Sequence, residues 1–116
     1  MDTNAVVEAA RFLAERLAEK GVAVSRLILF GSQAKGVAAE ESDIDLLVIS
    51  EAFRGKDIFQ RVEMTKEAEV NTVRRFVVPL DIIAMTPEEY EQGDSLIADM
   101  AREEGVLIES GKAAQG

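Results

Sequence analysis

The sequence is divided by short apolar runs, each of strand length and each beside a glycine, a proline or an acid. Three of these runs cover residues 26–30, 44–49 and 76–84, and a weaker fourth covers 106–109. Longer stretches with the period of an amphipathic helix precede and separate them. This alternation predicts an α/β fold in which a small mixed β-sheet is flanked by helices.

Two long helices are predicted, over residues 3–20 and 56–75. Their apolar stripes consist of Val6, Ala10, Leu13 and Leu17 in the first helix and Phe59, Val62, Val70 and Val73 in the second. The aromatic residues predicted to lie in the core are Phe53, Phe59 and Phe76.

Two shorter helices are predicted near the C-terminus. Thr86 and Glu89 can form a capping box around Pro87 at the start of one. The other begins near Ser95 and ends at Gly105. We therefore expect one domain over residues 1–110 and a disordered tail over 111–116.

The composition excludes several kinds of chemistry. The chain has no cysteine and no histidine, so a disulfide, a typical zinc site and a Ser-His-Asp triad are ruled out. Metal chemistry must use carboxylates, whose oxygens favour Mg²⁺ or Mn²⁺. The net charge of −9 argues against a broad surface for nucleic acid. No apolar stretch is long enough to cross a membrane, and the N-terminus lacks a secretory pattern, so we expect a cytoplasmic protein.

The candidate chemistry begins between the first two strands. Gly31 and Ser32 open a turn whose backbone N–H groups can bind phosphate oxygens, and Lys35 can add a positive charge. Asp43 and Asp45 lie at the start of the second strand. Because alternate side chains of a strand face the same side, their carboxylates point the same way. A divalent cation would turn their mutual repulsion into attraction.

A third acid, Asp81, lies in an apolar run with no basic residue within four positions on either side. If its strand lies beside that of Asp45, all three carboxylates converge on one edge. Such a site can hold two metal ions that clamp the entering and leaving oxygens of a phosphoryl displacement. Simpler interpretations stay open: the acids can be solvated strand residues, Ser32 a helix cap and Lys35 a surface lysine.

Other motifs with similar parts do not match. A P-loop would need lysine and serine or threonine where Val37 and Ala38 stand. An EF-hand would need an oxygen ligand in place of Leu47. A haloacid-dehalogenase acid pair would lie at the end of its strand, whereas this pair begins one.

The combined pattern resembles the signature of nucleotidyltransferases of the DNA polymerase β superfamily. That signature is an apolar strand ending in Gly-Ser, followed by Asp-x-Asp at the next strand. Here residues 27–32 and 42–46 supply the two parts, with Asp81 as the third acid and short helices after Thr86. The resemblance covers most of the chain. The short length of the chain is typical of the minimal nucleotidyltransferases, which are often encoded beside a HEPN-domain protein as its antitoxin.

The resemblance implies a role for each candidate residue. Gly31, Ser32 and Lys35 would hold the triphosphate of ATP or another nucleotide. Asp43, Asp45 and Asp81 would bind the metal ions, and Asp81 would help to activate the acceptor hydroxyl.

The resemblance further implies transfer of a nucleoside monophosphate, AMP from ATP, to a hydroxyl of a HEPN-domain toxin. Many relatives carry arginine after Gly-Ser, and this chain has Gln33, which weakens the expected phosphate contact. The alternative is an antitoxin that acts by binding alone. A glycosyltransferase using Asp-x-Asp would need a much larger nucleotide-binding domain. The nucleotide base, the acceptor and the homo- or hetero-oligomeric state stay open.

Overall fold

The computed structural model describes residues 3–31, 43–92 and 95–110. The helices in these ranges are α1 (Thr3–Glu19), α2 (Ile58–Phe76), α3 (Pro87–Gln92) and α4 (Leu96–Glu104). The strands are β1 (Arg26–Phe30), β2 (Ile44–Ile49), β3 (Leu80–Met85) and β4 (Val106–Ser110), and a 3₁₀ turn covers Glu51–Phe53. The predicted α/β class is confirmed. None of the helices described is both long and apolar enough to cross a bilayer.

The strands form one sheet in the order β3-β2-β1-β4. Strand β1 is antiparallel to both β2 and β4, whereas β2 and β3 are parallel and are connected by α2. The sheet is therefore mixed, as predicted. Within the described ranges, β3 and β4 form its two edges.

The sheet separates two hydrophobic layers, because side chains alternate between its faces. On one face, the buried strand residues that pack with α1 and α2 are Leu27, Leu29, Ile44, Leu46 and Val48. On the other, those that pack with Tyr90 of α3 and with the alanines of α4 are Ile28, Phe30, Leu47 and Ile49. Asp45 has the same strand parity as Leu47 and Ile49, so it belongs to the second face.

Several local predictions are confirmed. Strands β1 and β2 have the predicted bounds, and the predicted apolar face of α1 is buried. At the start of α3, Thr86 Oγ1 accepts a hydrogen bond from the Glu89 N–H (3.1 Å), and Glu89 Oε1 accepts one from the Thr86 N–H (2.9 Å). Ser95 caps α4 in the same way by accepting from the Ala98 N–H at 3.2 Å.

The apolar stripe predicted for α2 is not its buried face. Phe59 is 79% exposed and Val62 is 54% exposed, so the prediction that Phe59 lies in the core is wrong. The buried residues of α2 are Thr65, Ala68 and Thr72. Each threonine hydroxyl donates within the helix, from Thr65 to the Arg61 carbonyl at 3.2 Å and from Thr72 to the Ala68 carbonyl at 2.8 Å. Small side chains with satisfied hydroxyls can therefore be buried.

The third strand begins later than predicted. Phe76 ends α2, where its ring packs edge-on against Phe12 with centroids 5.6 Å apart. Val77 then adopts a left-handed conformation (φ 54°, ψ 50°), which is unusual for a β-branched residue. The Pro79 carbonyl accepts a hydrogen bond from the Ile44 N–H at 3.0 Å, and β3 starts at Leu80. Tertiary packing thus overrides the strand propensity of Phe-Val-Val.

Arg61 connects α2 to β3 and α3. Its side chain is only 14% exposed. Its Nη1 donates to the Ala84 carbonyl at 3.2 Å and to Glu89 Oε1 at 2.7 Å. The hydrogen bonds from Arg61 are the main reason why the pKa of Glu89 lies below its ordinary value. This arginine therefore fixes the start of α2 to the end of β3.

Replacing Arg61 by alanine is expected to lower the free energy of unfolding by about 1–3 kcal/mol, because it removes a mostly buried charged donor from the Lys56 and Ala84 carbonyls and from the Glu89 carboxylate. Arg54 is the matched control, since its ion pairs with Glu51 and Glu88 are exposed. Arg54→Ala should cost clearly less. Urea unfolding of both variants measures the difference, and equal losses would contradict the assignment.

Candidate active site

Two of the predicted acids meet at the start of the parallel strands. Asp45 is the second residue of β2, and it is in register with Asp81, the second residue of β3. Neighbouring strands lie about 4.8 Å apart, so the two carboxylates stand side by side on one face. Asp43 precedes β2 with the same parity, one pleat earlier. The strand register therefore brings together acids from two distant parts of the chain.

The three acids differ in their exposure. Asp43 and Asp81 are exposed, whereas Asp45 is half-buried. Burial raises the pKa of Asp45, and the negative charges of Asp81 and Asp43 raise it further. Among the residues whose placement is described, no lysine or arginine forms an ion pair with any of the three. This edge of the sheet therefore carries negative charge that no described lysine or arginine neutralises by an ion pair.

Gly31 lies directly against the Asp45 carboxylate. It follows Phe30, which pairs with Asp45, and it has a φ of +74°. A β-carbon at this position would lie 2.2 Å from Asp45 Oδ2. Glycine is therefore needed both for the left-handed backbone and for the close approach. The chain therefore leaves β1 right beside the half-buried acid.

Ser32 and Lys35, which are predicted to bind the triphosphate, lie outside the described residues, as does Gln33. The chain enters segment 32–42 from Gly31 and returns from it at Asp43. The two described residues that flank this segment, Gly31 and Asp43, both lie at the acidic edge.

Glu69 of α2 is a fourth acid at this edge, and the sequence did not indicate it. It is half-buried, and burial raises the pKa of Glu69, with the charge of Asp81 adding to the effect. Helix α2 runs antiparallel to β3, since Arg61 near its start contacts Ala84 near the end of the strand. About two helical turns later, Glu69 reaches the start of β3. Its local sequence resembles that of the exposed acid Glu63, so no sequence signal separates the two.

The donor set fits a hard divalent cation. It consists of carboxylate oxygens without competing thiolate or imidazole groups, which suits Mg²⁺ or Mn²⁺. Burial, and then the charges of Asp81 and Asp43, raise the pKa of Asp45, and a bound cation would offset these effects by favouring the ionised carboxylate. In the described ranges, no three acidic side chains are already grouped closely enough to hold one ion. Binding therefore requires a turn of the side chains, which the exposure of Asp43 and Asp81 permits.

The stability of the metal-free protein should depend on the charge of Asp45. The pKa of its carboxyl is 3.8 ordinarily and is raised in the folded chain. The folded state therefore binds the Asp45 proton more tightly than the unfolded state does. The stabilisation of the fold by this proton is complete below the unfolded pKa and is lost as the pH rises through the folded pKa. The stability of the wild type relative to Asp45→Asn should therefore fall as the pH rises from about 3.5 to 7.

Urea unfolding of both proteins in a chelating buffer would measure this relative stability at each pH. Added Mg²⁺ should then stabilise the wild type more than the variant at neutral pH, because binding to the folded state alone raises stability. If the relative stability does not change with pH, folding does not raise the pKa of Asp45.

Comparison with known proteins agrees with this geometry. Residues 10–108 match the nucleotidyltransferase domain family. A search of characterised proteins finds no significant match. Among solved structures, a protein described as a nucleotidyltransferase from Sulfolobus solfataricus superposes with a TM-score of 0.61 at 22% identity, over 88% of this chain and 78% of that one.

Two further structures have the same fold. A protein described as a minimal nucleotidyltransferase superposes with a TM-score of 0.58 at 23% identity, over 91% of this chain and 95% of that one. A toxin–antitoxin structure with AMP-PNP gives a TM-score of 0.61 at 15% identity, over 98% of this chain and 77% of the other. The matched range, residues 10–108, contains Gly31, Asp43, Asp45 and Asp81. It also contains the paired strands β2 and β3, which bring Asp45 beside Asp81. The chain belongs to the nucleotidyltransferase domain family.

Proposed function

We propose that this protein transfers a nucleoside monophosphate, AMP from ATP, to a hydroxyl group of a partner protein. The observation that carries the proposal is the register of Asp45 with Asp81 at the start of two parallel strands. Asp43 lies one pleat away, and Gly31 contacts the Asp45 carboxylate. The toxin–antitoxin relative was solved with AMP-PNP, which supports ATP as the donor and a protein as the partner.

In this proposal the chain binds the nucleotide at both ends of segment 31–43. Backbone N–H groups beyond Gly31 and the Ser32 hydroxyl donate to phosphate oxygens, and Lys35 adds a positive charge. Asp43, Asp45 and Asp81 hold Mg²⁺ or Mn²⁺, which when bound polarises the phosphate and neutralises the charge that develops on the leaving group.

The reaction is an in-line displacement at phosphorus. The acceptor hydroxyl oxygen forms a bond to the α-phosphorus, and the bond from that phosphorus to the α,β-bridging oxygen breaks. Pyrophosphate leaves with the electron pair. The exposed Asp81 carboxylate accepts the hydroxyl proton and releases it to water. Asp45 would act as a ligand of the cation together with Asp43.

The partner that fits this proposal is a HEPN-domain toxin encoded by the neighbouring gene, with a hydroxyl such as that of tyrosine as the acceptor. The net charge of −9 favours a basic protein, because complementary charge steers association. The second candidate function is an antitoxin that neutralises the toxin by binding, with little or no transfer. Gln33 favours this alternative, because it removes a positive charge from the phosphate segment.

One experiment separates the two candidates. The protein is incubated with ATP, Mg²⁺ and the purified product of the neighbouring gene, and the intact mass of that product is measured. An added adenylyl group supports transfer. An unmodified product that binds tightly supports the binding-only antitoxin, and a product that neither binds nor changes mass contradicts both.

The phosphate segment can be tested separately. Lys35→Ala should weaken Mg·ATP binding by roughly 1–2 kcal/mol, because one charge-assisted contact is lost. Gln33→Arg should strengthen binding, because it adds a charge beside the phosphates. Isothermal titration measures both affinities. If neither variant differs from the wild type, segment 31–35 does not hold phosphate.

A further inference from the structure

A groove runs along the outer edge of β3, between that strand and α2. The α2–β3 groove is lined by Ile58, Arg61, Val62 and Thr65 of the helix and by Ile82, Ile83 and Ala84 of the strand, and its volume is about 140 Å³. Ile82 and Ile83 have opposite parity on β3. Because both line the groove, it opens at the edge of the sheet and not inside either hydrophobic layer.

One end of this groove is apolar and exposed. Ile58 and Val62 line this end and are 71% and 54% exposed, and Phe59, which follows Ile58 on the first turn of α2 but is not part of the lining, is 79% exposed. Nothing in the described part of the chain covers them. A contiguous exposed apolar surface beside a cavity is typical of a binding surface.

The other end is acidic. Thr65 lines the groove, and Glu69 lies one helical turn further along the same side of α2, beside Asp81. The helix rises about 12 Å from Arg61 to Glu69, which matches the length of β3 from Ala84 back to Asp81 at about 10 Å. Neither Glu69 nor Asp81 has an ion-pair partner in the ranges described. The groove therefore leads from an apolar surface to unpaired acids at the active site.

Building on the proposed function, we infer that the α2–β3 groove docks the segment of the partner protein that carries the acceptor hydroxyl. A basic residue next to that hydroxyl faces Glu69, and apolar residues further along the segment lie against Ile58, Phe59 and Val62. Because the hydroxyl must reach Asp81, the groove and the reaction share one end. Glu69 then selects a basic flanking residue by charge complementarity.

Charge also argues against the other occupants of the groove. A second copy of this chain would bring its own net charge of −9 to the contact. A nucleic acid would bring phosphates along a groove whose lining has one basic residue, Arg61, and that residue is already paired with Glu89. A basic and apolar protein segment satisfies both ends of the groove at once.

The test uses the full chain and the purified product of the neighbouring gene as the probe, with affinity measured by isothermal titration. Phe59→Glu and Val62→Glu should each weaken binding by about tenfold or more, since a charge is placed in an apolar contact. Glu69→Lys should weaken it similarly, and Glu69→Gln less. Leu96→Glu is the matched control, because Leu96 is 75% exposed on α4, outside the groove, and should bind like the wild type.

The outcomes separate the groove from the proposed function. Thermal melts show whether each variant folds, and an acid near the start of α2 is favourable for the helix, so Phe59→Glu is expected to fold. If the wild type binds the probe and the groove variants bind equally well, the groove inference is wrong and the proposed function stands. If the wild type binds Mg·ATP but not the probe, both the partner and the groove are wrong. A loss of binding in Leu96→Glu as large as in Phe59→Glu would also contradict the groove.

Discussion

Asp45→Asn is expected to lower the rate of nucleotidyl transfer by about 1,000-fold, the upper end of the range for loss of one electrostatic contact in an active site. The fold should stay intact, and the metal-free protein should become slightly more stable. The reason is that the pKa of Asp45 is raised by burial and by its acidic neighbours, so its charge opposes folding at neutral pH.

Transfer to the partner and thermal melting without metal measure the two effects. Asp43→Asn should behave similarly in the transfer assay, because it removes a ligand from the same cation. Glu63→Gln is the control, since Glu63 is an exposed acid of α2 outside the site. A large loss of stability in Asp45→Asn would show that the acids have a structural role. Full activity in that variant would show that they have no catalytic one.

Gly31→Ala is expected to reduce transfer by roughly 100-fold or more, since a small displacement of a catalytic group can cost that much. The new methyl group would overlap Asp45 Oδ2, which is 2.2 Å away, so the carboxylate must turn away from its place beside Asp81. Because Oδ2 is the end of a side chain that can rotate, the fold should survive. The positive φ should cost about 1–2 kcal/mol of stability.

Gly55 supplies a matched control for this change. Its φ of +76° is close to the +74° of Gly31, but a β-carbon at Gly55 would meet nothing within 4 Å. Gly55→Ala should therefore show the same loss in urea unfolding and no loss of transfer. If both variants lose activity equally, backbone strain and not the contact with Asp45 explains the effect.

The parts of the fold that could be predicted from the sequence are those in which local pattern and tertiary environment agree. β1 and β2 are short apolar runs that are buried on both faces, and their bounds were correct. The capping box at Thr86 was also correct, because its hydrogen bonds join residues three positions apart. Hydrophobic pattern and capping chemistry are local, so no knowledge of the rest of the chain was needed.

The predictions for α2 and for Phe76 were wrong because tertiary packing overrides the local sequence pattern there. α2 buries threonine and alanine and leaves Phe59 in solvent, so its apolar stripe indicated the wrong face. Phe76 stays helical because its ring packs on Phe12. Neither fact is visible in the residues alone, since each depends on a second element that lies elsewhere in the sequence.

The candidate site could be predicted in part for the same reason. Asp43 and Asp45 were indicated by their position at a strand start, and Asp81 by its apolar run without a nearby basic residue. The parallel register of β2 and β3 brings Asp45 and Asp81 together. Glu69 was missed because its position depends on the direction in which α2 crosses the edge of β3. The roles of Ser32 and Lys35 stay predictions, because both residues lie outside the described ranges.

The place of β3 at the edge of the sheet has a consequence for the conformational ensemble. In the described part of the chain β3 pairs with β2 alone, and parallel pairing is slightly less stable per residue than antiparallel pairing. Local opening of such an edge costs less free energy than global unfolding. It would separate Asp81 from Asp45 while the antiparallel ladders of β1 remained. Two-acid and three-acid arrangements are then populations of one folded protein, and a ligand that bridges Asp45 and Asp81 shifts the balance to the second.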